Sequence, residues 1–148
     1  MKRYKSILAS ILAVVMVFLV SCGSGAPKTP PTYTPETLEK ISFYQSELLA
    51  FRDRMTELDE LIEQPDWVNV RNLIHGPLGD LRRDMSYASR LLLLKSEQKA
   101  GLAQAREVFR HLENIDLAAE EQNYATAVDN YGKALKDFDA FLELLPTS

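Results

Sequence analysis

The stretch ISFYQSELLAFRDRMTELDELI, Ile41 to Ile62, decides the fold of this chain. Ile41, Tyr44, Leu48, Phe51, Met55, Leu58 and Ile62 follow one another in alternating steps of three and four. That spacing draws one continuous apolar stripe down a helix of 3.6 residues per turn, with polar side chains on the other side. A strand would alternate with period two, and no segment of the chain sustains that pattern. Thr34-Pro35-Glu36 predicts the start of this helix through a hydroxyl cap, a proline in the first turn and an early carboxylate. Gln64-Pro65-Asp66 predicts its end and supplies Asp66 as the next cap.

Downstream the same signal repeats. Trp67, Val70, Ile74, Leu78, Leu81, Met85, Ala88 and Leu92 form a second stripe, interrupted at Gly76-Pro77. The stripe resumes in phase after Pro77, which predicts one bent helix over 67–94 with its kink at Gly76 and Pro77. Lys95-Ser96-Glu97 breaks the chain again, with Ser96 the expected cap of a helix over 97–120. Its stripe runs Leu102, Ala105, Phe109, Leu112, Asp116 and Ala119, with Ile115 beside the polar Asp116. The turn near Glu121 to Asn123 carries neither Gly nor Pro. A last stripe, Tyr124, Val128, Tyr131, Leu135, Phe138, Leu142 and Leu145, predicts a helix over 123–145 that stops at Pro146. Four amphipathic helices with short connections bury their stripes against one another, and short loops make neighbours antiparallel. The expected fold is therefore all-α, an up-down-up-down four-helix bundle spanning 36–146, preceded by a flexible Pro-rich arm.

Upstream, the chain opens with Lys2, Arg3 and Lys5 and then runs apolar from Ile7 to Val20 apart from Ser10. As a helix that run measures about 21 Å, short of the ~30 Å hydrocarbon core, which fits a secretory signal over 1–21. Leu19-Val20-Ser21-Cys22 resembles the bacterial lipobox, in which a thiol is alkylated by a diacylglycerol and the new amino group is acylated after cleavage. A plain signal peptide, or an anchor with a chance cysteine, is the alternative. Cys22 is the only cysteine, so a secreted domain would have no disulfide partner for it. The lipidated Cys22 and linker occupy 22–35. Gly23 to Thr34, with Pro27, Pro30 and Pro31, has a composition that packs no core and spans at most roughly 37 Å when extended. The spacing Pro27 to Pro30 would also suit an SH3-type domain.

Loss of residues 1–21 removes three cations and no acids, moving the formal net charge from −4 to −7. That acidity argues against nucleic acid and against a polybasic grip on anionic lipid. Catalytic constellations are wanting: no Gly-rich phosphate loop, no Ser/His/Asp or Cys/His arrangement and no small-molecule substrate site is recognisable. The two histidines, His75 and His111, lack the Glu-x-x-His context of a di-iron bundle and the ligand number of a zinc site, so no metal is assigned. The acids Glu57, Asp59, Glu60, Glu63 and Asp66 lack the spacing of a calcium loop and read as a solvated face. On a helical wheel Arg71, His75 and Arg82 fall within about 40° of one another, with Arg83 and Arg90 further round. This basic flank is a candidate docking face for an acidic partner, or else it pairs with acids of a neighbouring helix.

The segment WVNVRNLIHGPLGDLRRDM, Trp67 to Met85, resembles the PsbQ family in its cyanobacterial lipoprotein branch, through its Trp, Val-Arg-Asn and Gly-Pro-Leu-Gly. LAAEEQNYATAVDNYGKALKDFDAFLELLP is similar to the family's Ala-Ala turn, Tyr-rich last helix and terminal Leu-Pro. The resemblance runs from about Glu36 to Pro146. It implies an extrinsic, non-catalytic subunit on the lumenal side of photosystem II in the cyanobacterial thylakoid, held by the lipid on Cys22. Such a subunit binds no cofactor itself, but shields the manganese–calcium cluster and helps retain calcium and chloride. The partners implied are lumenal loops of the core antenna and other extrinsic subunits, notably the manganese-stabilising protein. A rival reading takes NYATAVDNYGKAL, Asn123 to Leu135, as half a tetratricopeptide-like hairpin of a lipid-anchored scaffold. Such repeats recur every 34 residues, and Arg90, 34 before Tyr124, begins no second copy.

Overall fold

In the computed structural model of the protein, which describes residues 31–146, five helices follow one another: α1 Pro35–Glu63, α2 Trp67–His75, α3 Leu81–Leu91, α4 Lys95–Glu120 and α5 Tyr124–Leu142. Among the described residues there is no strand, so the all-α expectation holds. The proposed signal, Leu19, Val20, Ser21 and Cys22, and the arm up to Pro30 lie outside the described residues.

Helix α1 begins as its sequence dictates. The Thr34 hydroxyl accepts from the Thr37 amide at 3.2 Å, and Pro35 occupies the first turn, where no amide donor is needed. Asp66 caps α2 by accepting from the Asn69 amide at 3.3 Å, and Asn123 caps α5 from the Thr126 amide at 3.1 Å. Helix α4 differs from expectation. It starts at Lys95, ahead of Ser96, and its first turn is closed by Glu97, whose Oε2 accepts from the Leu94 amide at 3.1 Å.

The region around Pro77 also differs. Where one bent helix over 67–94 is expected, α2 and α3 are separate helices joined by a turn over 76–80. Pro77 has no amide to give, so the next donor along, Leu78, bonds back to the Leu73 carbonyl at 3.0 Å. The Gly76 amide bonds to the Asn72 carbonyl at 2.9 Å, and a Cβ on Gly76 would stand 2.8 Å from that oxygen. The apolar phase survives the break because Leu78 and Leu81 are both buried.

The helices pack in a ring. α1 meets α2, α3 and α5; α4 meets α2, α3 and α5; the α4–α5 contact is the most extensive. The core contains Ile41, Leu48, Met55, Leu58 and Ile62 of α1, with Val70, Leu81, Met85, Val108, Ile115, Phe138 and Phe141. Tyr44 and Phe51 of the first stripe pack at its edge. The last stripe differs from the expected one: Tyr124 and Val128 are 47% and 41% exposed, whereas Ala127, Ala134 and Phe141 are buried. Ala105, Ala118 and Ala119 of α4 and Ala127 and Ala134 of α5 are all buried, so small side chains make up part of the inward faces of these two helices. Tyr131, Phe138 and Leu145 of the expected stripe are buried and Leu135 and Leu142 pack against the core, so large-residue spacing misplaced only its start, where the inward position is taken by Ala127.

Candidate interaction surface

The five basic-flank residues are placed by α2 and α3, and α4 answers them with acids. Arg71 Nε donates to Asp116 Oδ1 at 3.1 Å, and a second arm lies 3.7 Å from Glu120. His75 Nε2 lies 2.9 Å from the same Asp116 oxygen. Arg82 donates to Glu113 at 2.8 Å, and its guanidinium carbon sits 4.2 Å above the Phe109 ring, a cation–π contact. Arg83 reaches Asp80 and Asp84, both at 3.0 Å, and these acids hold its guanidinium further into the charged range. The acids that meet the flank thus come from α4, from the turn before α3 and from α3 itself, while Glu57 and Asp59 of α1 do not pair with it. Asp116, read from the sequence as a member of the apolar stripe, is the hub of this network because Ile115 takes the core position beside it.

Arg90 stands apart. Among the described residues its side chain meets no acid within ion-pair distance, and it lines a groove of about 550 Å³ with Leu91 and Tyr87 of α3 and Glu36, Glu39, Lys40, Phe43 and Tyr44 of α1. An aromatic ladder forms the floor. Phe43 and Tyr44 meet edge to face at 5.3 Å, and Tyr44 lies 5.8 Å from Tyr87 across the helix pair. Lys40 bridges back to Glu36 at 2.7 Å, a contact that lowers the Glu36 pKa and raises that of Lys40. Nothing in the sequence spacing picked out this groove, since its residues come from two helices some fifty positions apart.

His111 is buried between α4 and α5. Its Nδ1 lies 2.9 Å from Asn130 Oδ1, while Asn130 Nδ2 donates to the Thr126 carbonyl at 2.9 Å, which fixes the amide orientation. Asn130 Oδ1 is thus an acceptor, and His111 carries its proton on Nδ1. Glu107, His111 and Asp137 offer ligand atoms within 4.8 Å of one another. The Arg110 guanidinium already bridges two of them, 2.7 Å from Glu107 Oε2 and 3.0 Å from His111 Nε2. The positive charge at this cluster is therefore supplied by the chain itself. Asp137 comes from α5, so the sequence reading of Glu107 and His111 alone missed it. The acids Asp59, Glu60, Glu63 and Asp66 lie at the α1–α2 end, where Asp66 serves as the cap of α2. Among the described residues no helix is long and apolar enough to cross a membrane.

Comparison with known proteins agrees with the resemblance in the α2–α3 and α4–α5 segments. The profile of the PsbQ family, oxygen evolving enhancer protein 3, matches residues 5–146. The chain is 44% identical over 147 residues to CyanoQ of Synechocystis sp., covering 99% of this chain and 98% of that protein.

Proposed function

This chain belongs to the PsbQ family, and on that premise we propose that it is a non-catalytic extrinsic subunit of photosystem II, tethered to the lumenal side of the cyanobacterial thylakoid by lipid on Cys22. The observation that carries the reading is the family match, which extends over nearly the whole chain and not over one helical hairpin. The proposed domain plan is a signal over 1–21, a lipidated linker over 22–35 and a bundle over 36–146. Within that bundle α2 and α3 together fill the second place of an up-down-up-down arrangement, consistent with both packing between α1 and α4.

Its work is mechanical. A rigid helical body seated over the manganese–calcium cluster slows exchange of calcium and chloride with bulk water, without itself ligating either ion. Docking runs over Arg71, His75, Arg82 and Arg83, against acidic loops of the core antenna or the manganese-stabilising protein. Those side chains are paired within the molecule yet remain 43% to 65% exposed, which leaves room for a partner's carboxylates to join the network.

The test is oxygen evolution by cells lacking this chain, in full medium and in medium limited in calcium and chloride. The reading expects near-normal rates in full medium and a marked fall under limitation, restored by returning the gene. Equal rates with and without the chain under limitation would contradict it.

A further inference from the structure

The Phe43–Tyr87 groove sits where the chain joins the bundle. Tyr33 packs against the core, and its hydroxyl accepts from the Leu93 amide at 3.1 Å. Leu93 lies just beyond the end of α3, and Glu36, Glu39, Lys40, Arg90 and Leu91 of the groove are all within seven residues of Tyr33 or within three of Leu93. Tyr33 is therefore a staple that fixes one end of the bundle as the end from which any upstream tether departs. At the same end Phe43 is 59% exposed, Tyr87 44% and Leu94 44%. Trp67 follows the far end of α1, whose last residue, Glu63, lies roughly 30 Å along the helix from Phe43 at 1.5 Å per residue.

From this placement we infer that the groove end of the bundle lies against the lipid bilayer surface, with Phe43, Tyr87 and Leu94 at the boundary between headgroups and acyl chains and Arg90 at the phosphates. The inference rests on the lipid-anchor reading, because the stretch from Cys22 to the staple at Tyr33 can span at most roughly 34 Å. A tether that short holds the groove near the bilayer at about millimolar effective concentration, so a patch too weak to bind membranes by itself is occupied. Aromatic side chains favour that boundary, and an arginine without an internal partner finds one in a lipid phosphate. Glu36 and Lys40 pair at 2.7 Å, and counted together the lining acids Glu36 and Glu39 equal the cations Lys40 and Arg90, so the groove carries no formal net charge. Contact is therefore apolar and aromatic in character and depends little on salt.

The experiment uses the full lipidated chain, purified from membranes and reconstituted into vesicles of brominated phosphatidylcholine with phosphatidylglycerol, bromines being short-range quenchers of indole. Two proteins are compared: the native one, with Trp67 as its only tryptophan, and Phe43→Trp in a Trp67→Phe background. Seated ~5–10 Å into the headgroup boundary, the indole at position 43 loses roughly half its emission, while Trp67 is hardly affected. Adding Tyr87→Ala and Arg90→Glu to the reporter variant restores its emission, with circular dichroism confirming that it stays helical. Equal quenching at the two positions overturns the inference. Mass spectrometry of the same preparation reads the anchor separately: an unmodified Cys22 defeats both readings, whereas a lipidated chain with an unquenched position 43 defeats this one alone.

Discussion

Arg52 and Asp139, 87 residues apart in the chain, meet in a two-pronged ion pair: Nε donates to Oδ1 at 2.6 Å and a terminal nitrogen to Oδ2 at 3.2 Å. The pair ties the first helix to the last on the outside of the core. The hydrogen bond to Asp139 is the largest influence raising the Arg52 pKa. With the two side chains 28% and 53% exposed, water screens much of the attraction. Asp139→Ala is expected to cost about 1 kcal/mol, as a forked geometry is stronger than an ordinary surface pair. Urea unfolding of the single variants and of the double variant with Arg52→Ala measures the coupling, and an additive double variant would remove it.

The α4–α5 turn contains a position under strain. Gln122 has φ 56°, while the Asn123 amide bonds to the Ala118 carbonyl at 2.7 Å and the Gln122 amide to that of Ala119 at 3.3 Å. These two bonds make a Schellman ending, which usually places glycine where Gln122 stands. Gln122→Gly is expected to stabilise the protein by roughly 0.5–1 kcal/mol, because the roughly 1–2 kcal/mol cost of a side chain in the left-handed region is partly offset by glycine's greater freedom in the unfolded chain. A lowered melting temperature would contradict this.

Two helical glycines should respond in opposite ways. A Cβ on Gly132 meets nothing within 4 Å, and its site is exposed, so Gly132→Ala is expected to add roughly 1 kcal/mol through helix propensity. A Cβ on Gly101 would stand 2.8 Å from Ser89 Oγ and 3.1 Å from Ser89 Cβ, where α3 crosses α4. Ser89 is fully buried and its hydroxyl donates to the Met85 carbonyl at 2.7 Å, so it has little room to yield. Gly101→Val is expected to cost about 1–3 kcal/mol by overpacking. Thermal melts of both variants decide the pair of signs.

Alkaline pH should loosen the bundle at Tyr131. Burial, with help from the carboxylates of Asp59 and Glu63, pushes its phenol up from 10.0 to about 12, against the pull of Arg52. The folded pKa lies above the unfolded one, so the stabilisation is complete below pH 10 and is lost as pH rises from 10.0 towards about 12. Tyr131→Phe should remove the late component of a phenolate absorbance titration and flatten the stability profile across that interval. A wild-type titration with no late component would contradict it.

The basic flank can be tested without disturbing its internal pairing. Arg82→Glu combined with Glu113→Arg keeps a salt bridge between α3 and α4 while inverting the charge on the docking side. Docking through this flank predicts weaker and less salt-sensitive association with photosystem II. Association equal to wild type would make the flank purely structural.

Much of this molecule was legible as pattern. The α1 stripe was read in full because its inward face is made of large apolar side chains, and Thr34 and Asp66 cap as expected. Three features were not legible. Alanine carries little hydropathic signal, so the Ala127–Ala134 face of α5 was hidden behind Tyr124 and Val128. A turn made with Gln122 in the left-handed region gives no glycine to see. Stripe phase across Gly76-Pro77 was preserved by Leu78, so periodicity alone could not distinguish a bent helix from two helices joined by a turn. The interaction surface was legible only in part. The arginines of the flank were visible on a helical wheel, but their partners on α4 and the groove between α1 and α3 are products of tertiary packing.

Membership of photosystem II is best checked by tagging the chain after Ser148, solubilising thylakoids in mild detergent and quantifying by mass spectrometry what co-purifies. Photosystem II core and extrinsic subunits are expected in near-stoichiometric yield with the tagged chain. A preparation free of them, with other envelope proteins in their place, would contradict it.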